Sequence, residues 1–185
     1  MIELDYPRER MLADILAGAA GARPCEPSDV TAYAHLAQGD EAHLRFVLQR
    51  PQEILPQLNA ALAARFACVP SERLERSLLL PLKKALGNAH KRGNLCAPGK
   101  RITLELVVTR AGAFVEVADE GAGFDVAATY ARFRDGARYF SHGGSGFRKF
   151  EKADAIVSFA EHGSTVRICF RSAGPSARER AGGAA

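Results

Sequence analysis

Residues 114–125 read FVEVADEGAGFD, and this stretch decides the fold. Its first half is mostly apolar and rich in Val and Phe, which predicts a hydrophobic β-strand. The strand runs into Asp-x-Gly-x-Gly, where Gly121 and Gly123 have no Cβ, so a flat ring can lie close to the backbone. Asp119 ends the strand with a carboxylate that can accept a hydrogen bond from an exocyclic amine. We therefore expect a strand whose end faces a ligand.

Further strands are predicted from the alternation of apolar and polar residues, which has a period of two. Residues 101–108, RITLELVV, alternate in the same way and pair with 113–118 as a hairpin across the Arg-Ala-Gly turn. Residues 43–49 form another half-buried strand, with Leu44, Phe46 and Leu48 inward. Residues 153–170 are predicted to form two strands joined by a turn at His162 and Gly163.

Helical spacing of apolar residues predicts three helices, over residues 8–20, 51–66 and 71–93. Ser71 is the predicted N-cap of the third helix, which Pro81 should kink or deprive of one hydrogen bond. The predicted fold class is α+β: a two-layer α/β sandwich with a mixed, mostly antiparallel sheet and helices on one face.

The remaining stretches show no clean period. Residues 21–41 are rich in Pro, Asp and Gly and are predicted to be an irregular connection, and residues 126–150 to be loop-like and basic. The four glycines of residues 130–150 predict a mobile lid that phosphate would order. We expect an N-terminal extension over 1–41, a nucleotide-binding domain over 42–170 and a disordered tail over 171–185.

Composition restricts the class of protein. The 185-residue chain is 47% hydrophobic and has no apolar run near the roughly 18–20 residues of a membrane span. The N-terminus lacks the apolar core of a signal peptide, and the four cysteines form no C-x-x-C pair, so we expect a cytoplasmic protein with reduced thiols. A net charge of +4 is mild: it favours anions in general without identifying nucleic acid, which we do not expect as a partner.

Two further motifs fit a phosphate-bearing ligand. Asn88, in Gly-Asn-Ala-His late in the third predicted helix, offers a neutral oxygen to Mg²⁺. Residues 143–147, GGSGF, offer consecutive backbone N–H groups that can wrap phosphate oxygens.

The order of these motifs resembles the GHKL superfamily, which has the Bergerat fold and includes gyrase and histidine kinases. GNAH, DEGAGFD, GGSGFRKF and HGSTVRI stand in the places of the family's N box, first glycine box, second glycine box and closing G-x-T strand. The short chain and the strand–helix–helix entry look most like the bacterial anti-sigma-factor serine kinases. The resemblance covers about residues 42–170.

The resemblance implies a site for ATP and Mg²⁺ with seven contact residues: Asn88, Asp119, Gly121, Gly123, Gly144, Gly146 and Thr165. Asn88 would ligate Mg²⁺, and Asp119 would bind the adenine amino group. The first glycine pair would form the floor of the adenine pocket, and the second pair would bind phosphate. Thr165 would join the hydrogen-bond network of Asp119.

The chain departs from the family pattern one helical turn before Asn88. Members that hydrolyse ATP or phosphorylate serine have a glutamate there as general base, and this chain has Lys84. An ammonium has no lone pair to take a proton. Lys84 could instead neutralise a phosphate charge and compete with Mg²⁺ for the same place.

Four functions remain open on the sequence. The first is an ATP-binding regulator with weak or absent phosphotransfer, whose partners would be a sigma factor or an anti-sigma antagonist, with a homodimer compatible with the resemblance. The second is a catalytically silent Bergerat-fold interaction module. A genuine ATP-dependent serine/threonine kinase and a basic nucleic-acid-binding protein come behind these two.

Overall fold

The structure, a computed structural model, describes residues 1–4, 6–13, 15, 23–38, 41–136 and 145–173. No helix in these ranges is long and apolar enough to cross a membrane. Of the tail predicted to be disordered, residues 174–185 lie outside the described part, so its disorder stays a prediction.

The centre of the fold is one six-stranded sheet in the order β1-β2-β3-β4-β6-β5. Its strands are β1 (Arg23–Cys25), β2 (Ala42–Leu48), β3 (Ile102–Val108), β4 (Gly112–Asp119), β5 (Ile156–Ala160) and β6 (Thr165–Arg171). The pair β1 and β2 is parallel, and all other pairs are antiparallel. The predicted α+β class with a mixed, mostly antiparallel sheet is confirmed.

The α-helices of the described residues are α1 (Arg8–Ala13), α2 (Val30–Gln38), α3 (Leu55–Arg65), α4 (Ser71–Leu74), α5 (Leu80–Asn88), α6 (Val126–Arg134) and α7 (Ser145–Glu151). Short 3₁₀ turns cover Pro51–Glu53 and Glu161–Gly163. Two π-helical turns, Glu75–Leu79 and Ala89–Gly93, follow α4 and α5, so that residues 71–93 form one helical stretch.

The main core lies between the helices and one sheet face. The predicted inward residues of β2 and β3 are all buried, and their alternation with polar residues explains why these segments form strands. The fully buried side chains of this core include Phe46, Leu58, Leu62, Leu82, Leu86, Leu104 and Ile168. The two-layer arrangement is therefore the one that the apolar periodicity predicts.

Pro81 lies where the helical stretch changes its hydrogen bonding. The π-helical turn ends directly before α5, and the Leu80 N–H donates to the Glu75 carbonyl, five residues back. A wider turn at this point accommodates a residue that cannot donate a backbone hydrogen bond. The helix begins at Ser71 itself, after Pro70, so the predicted cap at Ser71 is wrong.

The prediction of an irregular chain over residues 21–41 is wrong. Residues 23–25 form β1 in the same sheet, and α2 packs against α3 with Leu36 fully buried. Asp29 caps α2, because its Oδ1 accepts the Ala32 N–H at 3.1 Å. Of the predicted helix over 8–20, the structure describes α1 and residue 15 beyond it.

The prediction of a loop over residues 126–150 is also wrong. Asp125 caps α6 by accepting the Ala128 N–H at 2.9 Å, and α7 buries Phe147 and Phe150. The predicted lid therefore contains two helices and two buried aromatic residues. Residues 137–144 of it lie outside the described part, and lid mobility stays a prediction.

The other sheet face is partly covered by the N-terminal segment. Met11 and Ile15 pack there in a second apolar cluster with Val107, Phe114 and Cys169. Beside this cluster two like charges, Glu105 and Glu116, are direct cross-strand neighbours, a pairing that would be destabilising by itself. Arg8 of α1 forms ion pairs with both, and Arg167 and His43 provide a second partner each.

We expect Leu36→Ala to lower the free energy of unfolding of the whole protein by about 2–5 kcal/mol, because it leaves a cavity in the shared core. Val30→Ala on the same helix is the matched control: Val30 is 76% exposed, and the change should stay within about 0.5 kcal/mol. Urea unfolding followed by circular dichroism measures both. An unfolding transition in which α2 melts separately would contradict the single core.

Candidate functional site

A cavity of about 360 Å³ lies between α5 with the π-helical turn that follows it and the ends of the central strands. This volume falls in the range of small-molecule pockets, roughly 300–1,000 Å³. Of the predicted site residues, Asn88, Asp119, Gly123 and Gly146 line the cavity, together with Lys84. Gly144 lies outside the described residues.

Asp119 occupies one end of the cavity, at the last position of β4. Its Oδ1 accepts the backbone N–H of Gly121 at 2.9 Å, so the carboxylate organises its own turn and keeps further lone pairs for a ligand. Burial raises the pKa of this carboxyl above its ordinary value of 3.8, although the Gly121 N–H and Lys100 act in the opposite direction. The surroundings therefore disfavour its negative charge.

Gly93 lies directly against the Asp119 carboxylate. A Cβ at Gly93 would stand 2.2 Å from Asp119 Cγ, far inside van der Waals contact. Glycine at this position is what lets the end of the helical stretch approach the end of β4. Sequence reasoning missed this residue, because its partner lies 26 residues further along the chain.

Asn94 holds the same crossing together and was also missed. It is 1% exposed, its Nδ2 donates to the Arg101 carbonyl at 2.9 Å, and its Oδ1 accepts the Glu120 N–H at 2.9 Å. Its backbone N–H donates to the Ala89 carbonyl at 2.7 Å. Asn94 thereby fixes the loop after Asp119 to the helix end.

The glycines of the DEGAGFD stretch have close backbone neighbours of their own. A Cβ at Gly121 would lie 2.3 Å from the Gly93 carbonyl oxygen. Gly123 has φ +69°, and a Cβ there would lie 2.1 Å from the His162 carbonyl oxygen. Both glycines are thus required by the packing of the protein itself, and a role toward a ligand ring stays a prediction.

Thr165 begins β6 beside the end of β4. It is 4% exposed and stands opposite Ala118, the residue before Asp119. The Asp119 N–H donates to the carbonyl of Ser164, the residue before Thr165. The structure therefore brings Thr165 next to the Asp119 turn, as the sequence predicted, and its hydrogen bond to that network stays a prediction.

The other end of the cavity is formed by α5 and the start of α7. A Cβ at Gly146 would lie 3.4 Å from Asn88 Nδ2 and 3.6 Å from Lys84 Cε, which places these three residues together. Asn88 and Lys84 are one helical turn apart on the same face, as the sequence predicted. The structure thus brings together Lys84, Asn88 and Gly146, and their contact with a ligand stays a prediction.

This end of the cavity is cationic. The pKa of Lys84 is lowered from 10.5 by burial first, and then by the charges of Lys149, Arg92 and Lys91. Lys91 and Arg92 line the cavity from the π-helical turn, and Lys149 belongs to α7. Positive charges from two elements therefore converge around the Lys84 ammonium.

Aromatic rings form the apolar wall between the two ends. The ring centroids of Phe124, Phe147 and Phe159 lie 5.5–6.4 Å apart, in edge-to-face arrangements. Val117 and Val166 continue this wall on β4 and β6. The cavity can therefore hold a flat or apolar group between its polar ends.

Leu95 lies at the cavity and is 74% exposed, which is unusual for a leucine. Leu95 and Cys96 have φ of +54° and +56°, a backbone region that costs non-glycine residues roughly 1–2 kcal/mol each. Asn94 directly precedes these two residues, and its side-chain hydrogen bonds hold the strained turn in place. Only the position of Leu95 in space, which the sequence does not show, makes it a site residue.

The donor set does not fit a Mg²⁺ ion held by the protein. In the described ranges no group of three or more His, Cys, Asp or Glu residues is arranged for a metal. Asn88, the predicted ligand, has Lys84 one turn before it and Lys91 and Arg92 just after it. Mg²⁺ sites in nucleotide-binding proteins use one or two carboxylates beside the phosphates, and Asp119 lies at the opposite end.

Comparison with known proteins gives no relative: no protein-family model and no curated protein matches the chain.

The contact between Gly93 and Asp119 predicts opposite effects of alanine at two glycines of one helical stretch. Gly93→Ala should lower the free energy of unfolding by about 1–3 kcal/mol, because the methyl group must displace the carboxylate. Gly87→Ala is the matched control. No heavy atom lies within 4 Å of its new Cβ, and helix propensity should raise stability by about 0.5–1 kcal/mol. Urea unfolding measures both, and equal effects would contradict the contact.

The raised pKa of Asp119 predicts a pH-dependent gain from Asp119→Asn. A carboxyl whose pKa is higher in the folded state costs stability above that pKa, and the cost disappears below the unfolded value of about 3.8. We therefore expect the variant to be more stable than the native protein at pH 7 and the difference to vanish as the pH falls below about 3.8. Thermal unfolding across this pH range measures it. A difference that grows on acidification would contradict the burial of a charged Asp119.

Proposed function

We propose that the chain is an ATP-binding regulatory protein, similar to anti-sigma-factor serine/threonine kinases, that acts by protein–protein interaction with weak or absent phosphotransfer. Its partner would be a sigma factor or an anti-sigma antagonist, in the cytoplasm, and a homodimer is compatible with this role. The motif resemblance of residues 42–170 suggests the ligand and the partners. The site geometry supports the ligand independently.

The observation that carries the proposal is the polarity of the cavity. A carboxylate stands at the Gly93 end and an ammonium at the Lys84 end. Gly93 follows Lys84 by nine residues on the helical stretch, a rise of roughly 13 Å at 1.5 Å per residue. Apolar and aromatic side chains line the part between. A ligand that fits has an amino-bearing flat ring at one end and a polyanion at the other, which is the chemistry of an adenine nucleotide.

The adenine end depends on the acceptor capacity of Asp119. The carboxylate uses Oδ1 for the Gly121 N–H and can still accept from the exocyclic amine of a ring. The rings of Phe124 and Phe159 and the exposed Leu95 offer apolar surface around such a heterocycle. The phosphate end depends on Lys84 and Arg92, with the Asn88 amide as a hydrogen-bond donor.

Slow chemistry follows from the same residues. Among the described residues that line the cavity, Asp119 is the one carboxylate, and it lies at the end away from the cations. A nucleophile near the phosphates therefore meets an ammonium where a proton acceptor is needed. Loss of a general base typically costs on the order of 10²–10⁴ in rate.

We expect the native protein to bind ATP in isothermal titration and to release almost no phosphate from it at saturation. Asp119→Ala should weaken binding by about 1.5–3 kcal/mol, roughly 10- to 150-fold, because it removes the acceptor for the amine. Asp135→Ala, at an exposed carboxylate beyond α6, should leave the affinity unchanged.

Three results would separate the alternatives. ATP retained intact supports the regulatory function proposed here. Brisk phosphate release or phosphorylation of a partner that persists in Lys84→Glu would contradict it and favour a genuine kinase. Absence of ATP binding would contradict the proposed function and favour an interaction module that binds no nucleotide.

A further inference from the structure

The phosphate end of the cavity contains more positive charge than a site shared with a metal needs. Lys84 extends from α5 to the start of α7, where its Cε would lie 3.6 Å from a Cβ at Gly146. Arg92 and Lys91 come from the turn that follows α5, and Lys149 acts on Lys84 from α7. These four cations belong to two elements that meet at this end of the cavity.

A divalent ion at this end of the cavity would have to displace these four cations or bind against their repulsion. The side chain one turn before Asn88 decides the matter, since a carboxylate there attracts Mg²⁺ and an ammonium repels it. Asn88 alone supplies one neutral oxygen, and Mg²⁺ gives up its hydration water reluctantly. The metal would have to be held by the phosphates against the local field.

Resting on the ATP function proposed above, we infer that the site binds the nucleotide in its metal-free form, with the Lys84 ammonium in the place that a divalent cation takes in related sites. Removing Mg²⁺ leaves the triphosphate more negative by two charges. The cationic end of the cavity then attracts a triphosphate with more negative charge. Mg²⁺ is therefore a competitor of the protein for the phosphates rather than a cofactor.

The test compares ATP titrations of the full chain in EDTA and in millimolar Mg²⁺. The affinity of the native protein for ATP in EDTA should equal its affinity in Mg²⁺ to within about twofold, or exceed it. Lys84→Glu should bind at least tenfold more weakly in EDTA and recover affinity when Mg²⁺ is added, because it pairs a carboxylate with Asn88. Lys83→Glu is the matched control. It makes the same charge change at the neighbouring, exposed position and should change the affinity no more than about twofold.

Two results would overturn the inference and leave the ATP site intact. One is native binding that is lost in EDTA and restored by Mg²⁺. The other is an equal loss in Lys84→Glu and Lys83→Glu, which would show an effect of net charge alone. Absence of native binding in both buffers would overturn the ATP proposal and the inference with it. The two titrations of the native protein decide the first and the last of these cases even if a variant does not fold.

Discussion

The close crossing between the end of the helical stretch and the end of β4 is the constraint on which the site depends. Gly93 and Gly121 meet there backbone to backbone, with the Asp119 carboxylate between them and no room for a Cβ at either position. Asn94 adds hydrogen bonds to both sides of the crossing. Because the helix is anchored at this point, its face with Lys84 and Asn88 is directed along the cavity rather than away from it.

Residues with a local periodic signal were predictable from the sequence. The strands β2 and β3 show a period-two alternation, and β4 is a mostly apolar strand. The register that pairs Leu104 with Val117 follows from burying the same face. Lys84 and Asn88 were placed together because a four-residue spacing on a helix fixes their relation. Among the predicted residues that line the cavity, Asn88 comes from a predicted helix and Asp119 from the end of a predicted strand, whereas Gly123 and Gly146 come from glycine-rich motifs.

Other parts could not be predicted because their cause is tertiary or their local signal was overruled. Gly93 and Asn94 matter through contacts with a strand far along the chain. The helices α2 and α6 did carry signals, a capping Asp29 and a capping Asp125, and Val126, Tyr130 and Phe133 fall at helical spacing. The many Gly, Pro and charged residues around them outweighed these signals. Tertiary packing provides the stabilisation that the local sequence does not show, since α7 is held in place by the burial of Phe147 and Phe150.

The electrostatics of the cavity explain why such a site needs a ligand of one particular polarity. The pKa of Asp119 is raised and that of Lys84 is lowered, and burial is the first cause of both shifts. Each end of the cavity therefore holds a charge that its surroundings disfavour. A ligand with a hydrogen-bond donor at one end and negative charge at the other relieves both costs at once, so its binding stabilises the folded chain. The same two residues therefore set the polarity of the ligand that the cavity would select.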